Sequence, residues 1–208
     1  MPKVIDNLGR ITIEESDMQF GSYSRDDVFY IEASKIYKNM RQDGVQTAEF
    51  LLFKIKSNHP VVLIVEAKKS APKILNKIRI DKLIKNEKEK VLQLEVNTAD
   101  FFDDIKSKFK DTLSLFVAIR SNLHDKTDME LPENFRRFQL SEMRFRFILV
   151  IKKHELKWLP ELQSKVEKEL NSMLKIWNLS PISVEVLNEE RAKKRGLIAN
   201  NDLINPSE

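Results

Sequence analysis

Three side chains in one stretch have the types and spacing to do chemistry: Glu49, Glu66 and Lys68, within VQTAEFLLFKIKSNHPVVLIVEAKKS, residues 45–70. Two apolar runs, Phe50–Phe53 and Val61–Val65, flank a polar segment punctuated by Asn58 and Pro60. Each run is short and the second is rich in β-branched residues, so the pattern predicts a β-hairpin. Side chains alternate along a strand, so Glu66 and Lys68 share a face and Ala67 points the other way. A turn centred between Ser57 and Asn58 sets Glu49 directly opposite Glu66, with Cβ atoms about 4.5–5.5 Å apart. A slip of one residue would destroy that pairing. Two carboxylates so close repel each other unless a cation compensates them. Mg²⁺ does so with one or two carboxylates while keeping several waters. Lys68 would face the same spot, placed to hold or polarise a water on the ion.

A plainer reading competes with this one. In a chain that is 33% charged, a Glu-x-Lys triplet often marks nothing more than a solvated strand end. The five apolar residues before Glu66 speak against an edge, because strands covered on both faces read as continuous apolar runs.

Glu49, a gap of sixteen residues and then Glu66-Ala67-Lys68 closing an apolar strand resembles the PD-(D/E)xK nuclease superfamily. The resemblance implies a restriction-endonuclease-like α/β core and hydrolysis of phosphodiester bonds. It implies that Glu49 and Glu66 bind Mg²⁺ (or Mn²⁺), that Ala67 adds its main-chain carbonyl, and that Lys68 assists the attacking water. The family often carries a further acid upstream, for which Glu15 and Glu32 are the candidates, each also readable as a plain surface residue. The chain departs from the usual pattern in having Glu49 where Asp is the rule, and Ala48 where a proline commonly stands.

Charge is the next clue. The net charge is only +4, yet the segment from Lys68 to Lys90 holds nine basic residues against three acids, so the remainder is net negative. A basic excess directly after the proposed metal strand is the footprint expected for contact with a phosphate backbone. Lys69, Lys73, Lys77 and Arg79 are the candidate contacts, joined by Lys106 and Lys110 on one helix face. Lysine-rich solvated surface is the competing account of all six. DNA is the expected partner, with RNA the alternative polymer; a homodimer or a partner subunit would fit a double-strand cut or a split activity.

Other classes are excluded or disfavoured. The chain has no cysteine, hence neither disulfides nor a thiolate zinc site, and its three histidines lack metal-ligand spacing. Only four glycines occur, and none forms a phosphate-cradling loop. No segment is apolar enough to span a bilayer, and residues 1–10 lack the apolar core of a secretion signal, which together suggest a cytoplasmic protein.

The elements that must position the three residues follow from periodicity. Ile11–Glu15 alternates as a strand, and Val28–Ile31 reads as another. Ser34 is placed to cap a helix that ends before Gly44. Residues 74–96 read as a hairpin or mobile arm, and a helix is expected to open at Thr98 with the stripe Phe102, Ile105, Phe109, Leu113, Phe116 and Ile119. Residues 122–140 read as a long loop, residues 145–151 as a strand. Pro160 should open a helix with a core stripe from Leu159 to Trp177, before a last strand over 182–187 and a charged helix or turn over 188–196. The expectation is a single domain over 1–208: a central mixed β-sheet flanked by helices, a core over about 28–190, a basic insertion at 69–96 and a frayed tail from 197. Function divides between a Mg²⁺-dependent nuclease acting on DNA and an inactive member of the same fold that binds nucleic acid or protein.

Overall fold

The computed structural model describes residues 3–6, 9–72, 88–124 and 127–199. Strands β1 (Lys3–Ile5), β2 (Ile11–Glu15) and β3 (Met18–Tyr23) form a three-stranded antiparallel sheet. A second sheet runs in the order β4 (Val28–Phe29), β5 (Phe50–Lys56), β6 (His59–Lys68), β7 (Arg144–Ile151) and β8 (Val184–Asn188). Its first three strands are antiparallel neighbours, whereas β6, β7 and β8 are parallel, so the sheet is mixed.

The central hairpin forms in the predicted register. Phe50 pairs with Val65 and Lys56 with His59. Ser57 and Asn58 both take left-handed backbone angles, φ 48° and 63°, as a two-residue turn that follows the strand twist requires. The Glu49 N–H continues the ladder by donating to the Val65 carbonyl, 3.0 Å away. The paired register ends there, and Glu49, one residue ahead of β5, meets Glu66 at the Lys108 ammonium.

The helices are α1 (Lys35–Met40), α2 (Lys88–Arg120), α3 (Glu133–Arg137), α4 (Leu159–Ile176) and α5 (Glu189–Lys194). Ser34 caps α1 by accepting from the Tyr37 N–H, and Gly44 ends the following 3-10 turn at φ 82°, a conformation cheap only for glycine. Leu51, Phe53, Val62 and Ile64 face the helical layer, where they meet the stripes of α2 and α4. Phe50, Leu52, Val61, Leu63, Val65 and Ala67 face the three-stranded sheet, with Ala192 of α5. Glu49, Glu66 and Lys68 therefore belong to the helical side. At the far edge, the Gln163 side-chain amide bonds the Val184 carbonyl and the Val186 N–H, pairing β8 much as another strand would.

Several expectations need correction. Helix α2 is already formed at Lys88, ten residues before Thr98, because Lys88–Asn97 consists mostly of strong helix formers with no Gly or Pro to stop it. Part of the supposed insertion at 69–96 is thus regular helix, while residues 73–87 lie outside the described residues. The core is wider than 28–190: Ile11, Ile13, Met18 and Phe20 are buried, and so are Leu197 and Ile198 of the supposed frayed tail. Ile198 bridges Phe20, and residues 200–208 lie outside the described residues. The strand predicted at Val28–Ile31 spans two residues, with Ile31 already in a 3-10 turn.

The described residues between 127 and 140, expected as part of a long loop, are mostly helical turns. A 3-10 turn (Thr127–Glu130) and α3 carry Leu131 and Phe135 into the core. Phe135 is fully buried, its ring 5.8 Å from that of Phe53, 5.9 Å from Phe116 and 6.3 Å from Phe29. Such aromatic clusters stabilise beyond the area they bury. Phe135→Ala is accordingly expected to cost about 3–5 kcal/mol in equilibrium urea unfolding. A loss below about 1 kcal/mol, the ordinary surface range, would show that α3 contributes no core packing.

Candidate active site

At the carboxyl end of β6, the central hairpin and one helix bring five charged side chains together. Glu66 is fully buried and Glu49 is only 6% exposed. Lys68, two residues on from Glu66 and on the same face, places its ammonium 3.0 Å from Glu66 Oε1 and 2.8 Å from Asp104 Oδ2. Lys108 Nζ lies 2.8 Å from Glu66 Oε1 and 3.7 Å from Glu49 Oε1. Glu66 Oε1 thus receives two ammonium groups, while its Oε2 is buried with no hydrogen-bond partner.

Helix α2 supplies this second layer through a row of polar side chains one turn apart. Asp104 holds Lys68 and Lys108 meets the two acids. The buried Thr112 hydroxyl accepts from the Ala48 N–H at 2.7 Å, and Asp111 from the Gln46 N–H at 3.2 Å. The helix therefore fixes the backbone that leads into Glu49 as well as the charges around it.

The three-stranded sheet reaches the same place from the other side. Its β2–β3 turn, Ser16–Asp17, has left-handed angles of φ 51° and 59°. The Ser16 hydroxyl donates to the Ala67 carbonyl at 3.0 Å and approaches Glu15 Oε1 at 3.3 Å. Asp17 pairs with Lys69 at 3.0 Å, and Lys152 donates to the Asp17 carbonyl.

Electrostatics follow from these positions. Burial, then repulsion from Glu66, raises Glu49 to about 8; Lys108 offsets part of the rise, while Glu15 and Glu32 add to it. Burial also raises Glu66, against the attraction of Lys108 and Lys68. Burial by itself would depress the Lys108 ammonium, but Glu66 and Glu49 more than reverse that and hold it charged. Both ammonium groups lie closest to Glu66, so more of their attraction falls there than on Glu49. The Tyr30 hydroxyl, buried without a partner, is kept protonated by burial and by the charges of Glu32, Glu49 and Glu15.

Of the residues expected from the sequence, Glu49, Glu66 and Lys68 converge, the Ala67 carbonyl accepts the Ser16 hydroxyl, and Glu15 and Glu32 are near enough to act on Glu49. Among the described residues, no three acidic or histidine side chains are close enough to form a metal cluster by themselves. Lys69 is occupied with Asp17, and Lys110 with Asp111 at 3.5 Å. Neither Lys106 nor Lys110 reaches the acids, and Lys73, Lys77 and Arg79 lie outside the described residues. Sequence reasoning missed Lys108, Asp104 and Ser16. The signal for the first two was the row 104, 108, 112 running beside the apolar stripe.

No protein-family model, curated protein or solved structure matches the chain.

The carboxylate pair makes a prediction about pH. Glu49 holds a proton in the folded protein up to about 8, whereas an unfolded glutamate releases it near about 4.3. Between those values the folded state binds more protons, so stability falls as pH rises. In chelator, the wild-type melting temperature should drop between about pH 5 and 8. Glu49→Gln should flatten that slope and melt roughly 2–4 °C higher at pH 8, equivalent to about 1 kcal/mol for a chain of this size. Identical pH profiles for the two proteins would show that the carboxylates do not oppose each other.

Proposed function

We propose that the chain is a metal-dependent nuclease of the PD-(D/E)xK type, with a restriction-endonuclease-like core, that hydrolyses phosphodiester bonds in DNA. The observation that carries this reading is the meeting of two buried carboxylates from neighbouring strands with the ammonium of Lys68 beside them. The donors suit Mg²⁺ or Mn²⁺: they are all oxygen, and the partnerless Glu66 Oε2 has a lone pair to give. Glu49, Glu66 and the Ala67 carbonyl would hold the ion. When bound, it supplies Lewis-acid chemistry, acidifying water and neutralising charge on the phosphate.

The chain's own residues do the rest. Glu66, fully buried on a strand paired on both sides, gives the site a rigid floor that water does not reach. Asp104 and Glu66 grip the Lys68 ammonium from two directions, so its position is set before substrate arrives. At 25% side-chain exposure, Lys68 remains open to a water molecule, which it can orient and relieve of developing charge. The basic run after β6 is the candidate for guiding a DNA backbone to this end of the sheet.

Lys108 favours a second reading. It already supplies a cation to both acids, as a binding-only member of the fold would need. Calorimetric titration with Mg²⁺ or Mn²⁺ separates the two, since a binding-only module has no use for the ion.

The decisive assay incubates the purified protein with plasmid DNA, linear DNA and RNA in Mg²⁺ or Mn²⁺. Wild type should cut DNA. Lys68→Ala should keep its metal affinity and lose about 10²–10⁴-fold in rate, the usual contribution of a proton-handling side chain. Glu66→Gln should lose metal binding and cleavage together. Undiminished cutting by both variants would refute the assignment.

A further inference from the structure

We infer that Lys108 is an exchangeable counter-ion, whose ammonium holds Glu49 and Glu66 together in the metal-free protein and must leave for a divalent cation to bind. The inference rests on the metal reading of the site. Lys108 Nζ is the group that contacts both acids, at 2.8 Å from Glu66 Oε1 and 3.7 Å from Glu49 Oε1. Lys68, by contrast, contacts Glu66 and Asp104 and stands to one side. Among the described residues, Lys108 is the one cation within ion-pair distance of Glu49.

A divalent ion held by both carboxylates would need one oxygen of each at about 2.0–2.1 Å, and Lys108 Nζ, 2.8 Å from Glu66 Oε1 and 3.7 Å from Glu49 Oε1, is the cation it would compete with for the pair. A dication and an ammonium held by the same two carboxylates repel each other, and Asp104, the further acid acting on Lys108, is already paired with Lys68. Lys68 need not move, since its second partner, Asp104, is outside the acid pair. Lys108 can move. It projects from α2 on a flexible four-carbon stem, and Asp104, one turn back on the same helix, offers an alternative carboxylate. The two lysines therefore differ in kind: Lys68 is a fixed part of the site, and Lys108 is the charge that a metal replaces.

The exchange predicts that removing the Lys108 charge strengthens metal binding while weakening the metal-free fold. Calorimetric titration of Mg²⁺ and Mn²⁺ into the full chain, with thermal unfolding in chelator, reads both effects. Lys108→Gln keeps a hydrogen-bond donor for Glu66, and Lys108→Met keeps the stem; each should bind the ion about 10-fold more tightly than wild type. Each should also melt lower in chelator and gain more from added Mg²⁺. Lys108→Arg retains the charge and should bind no more tightly than wild type. Equal or weaker binding by both neutral variants, with wild type still binding, would overturn the exchange and leave the metal site standing. Absence of metal uptake by every protein, wild type included, would overturn the metal reading and the exchange with it.

Discussion

Two buried carboxylates, Glu66 on β6 and Glu49 just ahead of β5, meet on one face of the sheet, and much of the surrounding structure offsets their repulsion. At a separation of about 4 Å and an effective dielectric near 20, two like charges oppose each other by roughly 4 kcal/mol. A domain of this kind is stable by only about 5–15 kcal/mol in all, so an uncompensated pair would consume a large share of it. The compensation has three parts. Two ammonium groups converge on Glu66, a proton remains on Glu49, and Asp104 balances the second lysine. Such an arrangement is costly for a purely structural cluster, since apolar residues of similar volume would stabilise the same place at least as well.

The site is also where the layers of the fold are fastened together. Strand β5 begins just after Glu49, and the chain before it would leave backbone N–H groups without partners. Thr112 and Asp111 of α2 take the N–H groups of Ala48 and Gln46, so the helix that carries Lys108 also fixes the approach to Glu49. On the opposite face, Ser16 satisfies the Ala67 carbonyl where β5 no longer lies alongside β6. Movement of α2 or of the β2–β3 turn would thus be felt at the acids through hydrogen bonds rather than through loose contact.

The sequence made some of this legible and concealed the rest for physical reasons. The hairpin register could be read because its determinants are local: two apolar runs, a polar gap, and Ser57-Asn58, the pair that adopts the left-handed turn. That register put Glu66 and Lys68 at the end of β6 beside the start of β5, which Glu49 precedes. The core stripe of α4, Leu159 to Leu174, followed equally from helical spacing. Lys108 was hidden because its partners are 42 and 59 positions away and its type suggests solvent; Lys106 and Lys110, on the more polar face, drew the eye instead. Phe135 was hidden for a related reason. Its helix is five residues long, too short for periodicity to register, and its burial depends on rings contributed by Phe29, Phe53 and Phe116.

The length of the Glu49 side chain has a geometric consequence. A glutamate is one methylene longer than an aspartate on the same backbone. The Glu49 backbone is held by the bond from its N–H to the Val65 carbonyl, so the added length extends the reach of the carboxylate. That reach brings Oε1 to 3.7 Å from Lys108, already at the outer limit of an ion pair. An aspartate on the same backbone would fall about one C–C bond short and leave the ammonium to Glu66 alone. The longer acid and the intervening lysine are in this sense one feature: the glutamate allows a single ammonium to serve both carboxylates, and the ammonium makes a buried glutamate tolerable there.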